Sequence, residues 1–220
     1  MTITLVFLAV IMATVIGWLL RQSLNTQPWV SDSVADSFSG ASLDTNSKTV
    51  GLTTFLAVAT SLFALFVSAY TIRMRVADWS PLAEPDLLWV NSAFLVLASV
   101  VYHWTRNRAV AGRTASLKPG LMVAGALSIM FLVGQLVAWQ QLLAAGQYAS
   151  SNAANAFFYL LTGVHGLHML GGLYVWARSA VRAWTGADAD AVRLSIELCT
   201  VYWHFLLLVW VVLFGLLLAT

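Results

Sequence analysis

Three imidazoles and one carboxylate stand out because they interrupt stretches that are otherwise apolar. The run Phe157–Trp176, FFYLLTGVHGLHMLGGLYVW, holds no charge yet carries His165 and His168, with Gly163, Gly166, Gly171 and Gly172 among them. At 100° per residue, His165, His168, Thr162 and Gly172 share a helix face with Phe158, Leu161 and Met169. Further on, Arg193, Glu197, Thr200 and His204 follow one another at steps of four, three and four, which form a second stripe. Polar faces inside hydrocarbon must point at protein or at a lined cavity. Imidazoles so placed could ligate haem iron, hold zinc or copper, relay protons, or anchor a hydrogen-bond network.

The spacing weighs these chemistries differently. A b-type haem needs opposed imidazoles with room for a macrocycle, and a glycine-lined helix contact does not supply that room. A zinc or copper site built on H-x-x-H lacks a third carboxylate or thiol at the same depth. A proton relay through Glu197, Thr200 and His204 stops at Leu207, Leu208 and Val211. A buried network that fixes helix packing or holds a lipid headgroup accounts for the pattern most simply. His168 lies ten residues from Arg178, and His204 lies eleven from Arg193. Both rings are thus expected roughly 15–17 Å from one surface, near mid-membrane, with the two polar faces meeting.

The elements that must position these groups are membrane spans. The chain has 220 residues, 60% hydrophobic and only 9% charged, against about 25% charged in soluble domains. The fold class is an all-α, multi-pass transmembrane helix bundle. Six spans are predicted, at about 3–20, 49–71, 86–104, 119–143, 155–177 and 193–219. Residues 1–48 read as an N-terminal span plus a polar loop, and residues 49–220 as a five-helix bundle. Arg21 follows the first span and no basic residue precedes it, so the span is expected to be a retained helix.

The first, third and fifth loops carry nine Lys and Arg: Arg21, Lys48, Arg106, Arg108, Arg113, Lys118, Arg178, Arg182 and Arg193. The opposite side carries Arg73 and Arg75 alone, so both termini are expected on the non-cytoplasmic side. A net charge of +2 gives no basis for nucleic-acid binding, and the single Cys199 allows no internal disulfide. The first loop is polar, with Asp32, Asp36 and Asp44, and reads as solvated. Gln135, with Ser128 and Trp139, marks the interior face of the fourth span, where it should bond a neighbouring helix. His103, between Tyr102 and Trp104, reads as an interfacial side chain.

The blocks FYLLTGVHGLHMLGG and, from Glu197 to Trp210, ELCTVYWHFLLLVW resemble subunit III of haem–copper terminal oxidases, in that family's order and on its last two helices. Fainter echoes are LFVSAYTIRMR, Asn91, and Gln135 with Trp139, so the resemblance spans roughly 50–220. It implies a non-catalytic subunit of an oxidoreductase complex of the cytochrome c or quinol oxidase type, carrying no cofactor of its own. Haem and copper are expected in the partner catalytic subunit. The resemblance further implies packing against subunit I, with subunit II in the same hetero-oligomer, and bound phospholipid. It implies support of proton uptake and of stability during turnover in a bacterial inner membrane.

His165, His168, Glu197 and His204 would hold the last two helices together, with Gln135 tying in the fourth span. Arg193 and Thr200 complete the stripe. The chain departs from the family where carboxylates are usual, having Ala59, Ala138 and Leu207. A subunit III-like accessory protein of a nitric oxide reductase is the related alternative, and a b-type haem electron-transfer membrane protein the more distant one.

Overall fold

The computed structural model describes residues 47–82, 85–113, 116–185 and 189–219. The predicted first span and the aspartates of the first loop lie outside the described residues. Five helices account for nearly all the rest: α1 (Ser47–Arg73), α2 (Leu87–Val110), α3 (Leu117–Ala144), α4 (Ala153–Trp184) and α5 (Ala189–Leu218). No strand occurs among the described residues. The shortest, α2, has 24 residues, about 36 Å at 1.5 Å per residue, so each helix can cross a hydrocarbon core of about 30 Å. All five are apolar enough to do so.

The chain divides into two compact units, Met1–Ala64 and Leu65–Thr220, with the boundary inside α1. In the first unit, Thr53, Thr54, Thr60 and Ser61 each donate a hydroxyl to the carbonyl four residues back. A hydroxyl bonded this way needs no outside partner, which makes such residues tolerable in a span.

In the second unit α2, α3, α4 and α5 form a closed ring of neighbours, each antiparallel to the next. Thr105 of α2 rests on Gly120 of α3, and Asn91 of α2 on Gly134. The α3–α4 contact runs from Trp139 with Thr162 to Leu121 with Trp176. α4 meets α5 from His168 with Tyr202 to Arg182 with Ser195. α5 returns to α2 from Trp210 with Ser92 to Thr200 with Tyr102. This is the up-down-up-down arrangement that short connections favour.

The bundle turns a greasy surface outward. Leu167 is 65% and Tyr174 69% exposed on α4, and Val211 is 59% exposed on α5. Patches of this extent would drive association in water, but they match lipid tails. Inside, buried hydroxyls bond carbonyls of their own helix, as in Thr105 to Val101, Ser128 to Ala124 and Thr162 to Phe158.

Two helix ends explain where the predicted spans fell short. α2 continues past Trp104 through Arg106 and Arg108, since charged side chains can stay helical where they reach water. It stops at Gly112, whose φ is 69°. There Gly112 N donates to Ala109 O at 3.1 Å and Arg113 N to Arg108 O at 3.0 Å. α3 ends the same way at Gly146, φ 76°, with Gln147 N donating to Leu142 O at 2.9 Å. Only glycine takes this left-handed turn without a Cβ penalty. α4 likewise runs on to Trp184 rather than ending near 177, and it starts at the Asn152 cap, whose side chain accepts from Asn155 N.

Candidate functional site

The histidine face of α4 is buried. Phe158, Leu161, Thr162, His165, Met169 and Gly172 are all inside, and His168 is half-buried. His165 is wholly enclosed, with the Phe131 ring edge-on at 5.8 Å and the Trp210 ring tilted at 5.4 Å. Phe131 and Trp210 also meet edge to face at 5.0 Å. Three helices thus converge on one imidazole through aromatic rings, an arrangement worth about 0.5–1.5 kcal/mol per ring pair beyond burial. His168 turns its Nδ1 to the Val164 carbonyl at 2.8 Å. Its own carbonyl accepts the Tyr202 hydroxyl of α5 at 2.8 Å, and the Tyr202 ring fills the space above Gly172.

The second stripe does not meet this face. Thr200 donates to Ile196 O at 2.8 Å and reaches Tyr102 O of α2 at 3.3 Å. His204 places Nδ1 2.6 Å from Ser99 Oγ of α2. Its Nε2 stands 3.5 Å from Nδ1 of His103, with the two rings stacked at 5.7 Å. Arg193 pairs with Glu197 on its own helix at 3.0 Å, half exposed.

The expected meeting of the two polar faces is therefore corrected: α4 and α5 do pack together, but the stripe of α5 looks toward α2. The reason is angular. Tyr202, Trp203, Leu206 and Trp210 form the inward side of α5, and the polar stripe lies beside that side rather than on it. His204 meets α2 at His103. Its contact with His103 puts it seven residues, about 10 Å, from the end of α2, level with Trp104, over which Arg108 stacks at 5.1 Å.

Gln135 is buried on α3, 7% exposed. Among the described residues neither its amide nor that of Asn91, 0% exposed, has a hydrogen-bond partner. Such an amide costs about 1–3 kcal/mol. The bonds that join α3 to α4 come instead from indoles. Trp139 Nε1 donates to Thr162 Oγ1 at 3.0 Å and Trp176 Nε1 to Leu121 O at 2.9 Å. Trp176 lies directly over Gly125.

Sequence reading passed over Trp210, Trp203 and Ser92. Trp203 stacks on Tyr102 at 4.9 Å, and Trp210 donates to Ser92 Oγ at 2.8 Å. The seven-residue steps Trp203–Trp210 and Ser92–Ser99 carry the signal for that seam. Among the described residues no three His, Cys, Asp or Glu side chains converge. A haem clamp between His165 and His204 has no geometric basis, since the two rings lie on different sides of α5.

An apolar exterior wrapped around an antiparallel, aromatic-packed interior defines a polytopic integral membrane protein. The chain belongs to the cytochrome c oxidase subunit III family, whose model matches residues 2–218. A cytochrome c oxidase subunit 3 from Synechocystis sp. is 31% identical over 170 residues, covering 74% of this chain and 72% of the relative. A probable cytochrome c oxidase subunit 3 from Mycobacterium leprae is 31% identical over 177 residues, covering 77% and 86%. A cytochrome bo(3) ubiquinol oxidase subunit 3 from Pseudomonas aeruginosa is 26% identical over 176 residues, covering 78% and 84%.

Proposed function

We propose that this chain serves as the non-catalytic subunit III of a respiratory haem–copper oxidase in a bacterial inner membrane, with both termini on the non-cytoplasmic side. It packs against the catalytic subunit I, which holds the haem and copper, in a complex that also contains subunit II. It binds phospholipid and sustains proton uptake and stability during turnover.

The observation that supports this reading, beside the family match, is the enclosure of His165 by Phe131 and Trp210. The one wholly buried imidazole is spent on packing, as befits a chain that holds a shape rather than a redox centre. His165, His168 and Thr200 then fix the helices inward, and Gln135 lines the same interior. Arg193, Glu197 and His204, which reach the outer seam, are left for a partner subunit or a lipid headgroup. Ala59 and Ala138 are buried alanines, so any support of proton uptake acts through the neighbouring subunit rather than through carboxylates at those positions.

The test compares the oxidase purified with and without this chain. Initial turnover per haem is expected to be similar in the two preparations, while the one lacking the chain loses activity progressively during catalysis. An immediate loss of all turnover on removal of the chain, or a Soret band stoichiometric with the chain itself, overturns the reading.

A further inference from the structure

We propose that His103 and His204 form a bidentate site for a divalent transition-metal ion of the zinc or copper class on the α2–α5 seam. The two rings come from helices far apart in sequence, yet His204 Nε2 and His103 Nδ1 face each other at 3.5 Å. That is long for a hydrogen bond, whose donor–acceptor distance is usually about 2.7–3.2 Å. It suits a shared ion better. Two nitrogens each about 2.0–2.1 Å from a tetrahedral metal stand about 3.3–3.4 Å apart, so the separation is right, and turning both rings until their lone pairs converge on one point closes the site.

Ser99 supplies the outer support. Its hydroxyl lies 2.6 Å from His204 Nδ1. A proton on Nδ1 donated to Ser99 Oγ leaves the Nε2 lone pair aimed at His103, the tautomer a metal needs. With the His103 proton on Nε2, its Nδ1 lone pair is free to answer. In these tautomers both ligands offer the neutral imidazole nitrogen that a metal requires.

Both rings are exposed. They lie level with Trp104, in the zone where aromatic residues mark the membrane–water boundary, so an aqueous ion can reach them. Water, or a side chain of an adjoining subunit, completes the coordination. Arg106 is near enough to act electrostatically on the His204 ring. Its charge opposes any cation, so the ion held there must be one that bonds strongly to imidazole, foremost Cu²⁺ and Zn²⁺.

The test uses the intact oxidase complex carrying the full chain, freed of loosely held metal by a chelator, loaded with Zn²⁺ and desalted. Elemental analysis of wild type is expected to give one more equivalent of retained zinc per complex than either His103→Gln or His204→Gln. His103 is exposed and makes only the weak ring contact, so His103→Gln gives the reading even if His204→Gln fails to assemble. Ser99→Ala keeps both imidazoles and is expected to weaken zinc binding about 10-fold or more. Equal zinc in wild type and His103→Gln overturns the proposal, as does an affinity unmoved by Ser99→Ala.

Discussion

His165 sits in the middle of the bundle with an aromatic ring on two sides, while His204 sits at the rim with a serine on one side and a second imidazole on the other. The same side chain is thus used once as a shaped core residue and once as a polar group on a seam. What differs is the neighbour each helix face selects. Where α4 meets α3 and α5, the facing residues are Phe131 and Trp210. Where α5 meets α2, they are Ser99 and His103. A histidine in a span therefore acquires its role from the opposing helix, and its own sequence neighbours say little about which role that is.

The contrast can be broken most forcefully from the inside. Trp210→Ala removes the ring shared by His165, Phe131 and Phe214 and leaves Ser92 without its donor. Loss of about 3–5 kcal/mol of stability is expected, read as a lower thermal midpoint of the assembled complex. Gly125→Val drives a side chain into the Trp176 indole, and about 1–3 kcal/mol or more should be lost, seen as a reduced yield of folded chain. Gln135→Met goes the other way. By removing a buried amide unpartnered among the described residues, it should gain about 1 kcal/mol in the same thermal measurement. A loss from Gln135→Met as large as that from Trp210→Ala would mean the interior depends on polar bonding after all.

On the seam the effects should be smaller. His204→Leu gives up the Ser99 contact, about 1 kcal/mol, but retention of this chain by the complex should fall on detergent washing, quantified by gel densitometry. The smallest effect belongs to the loop between α1 and α2. Two hydrogen bonds from Arg73, at 2.6 Å each, and then its charge, hold the Asp78 carboxyl below the usual carboxylate range. The ion pair thus stabilises the loop at pH values above about 4 and is lost as pH falls through the lowered value. Protection from hydrogen exchange over residues 74–80, taken relative to the intrinsic rate at each pH, should fall at low pH in wild type. In Asp78→Asn that protection should be low at every pH.

Apolar runs alone made five of the helices legible, because a span must satisfy every backbone group internally. The ends were less so. Arg106 and Arg108 looked like loop because charge usually marks the membrane edge, yet Ala111-Gly112 was the readable stop. The face of α4 carrying His165 was legible from its glycines and its 3.6-residue period. The partner of the α5 stripe was not, because spacing fixes which residues share a face but leaves open which helix lies opposite. The indole bonds of Trp139, Trp176 and Trp210 escaped for the same reason, as their acceptors lie on other helices.

Because the helices of the second unit pair in order of synthesis and the ring shuts only through α5 against α2, the nascent bundle stays open until that helix enters the bilayer. Through that interval Ser99 and His103 face outward with nothing from α5 to meet them. A stalled or shortened translation product should therefore be a prime substrate for membrane quality-control proteases, which act on spans whose polar groups remain uncovered.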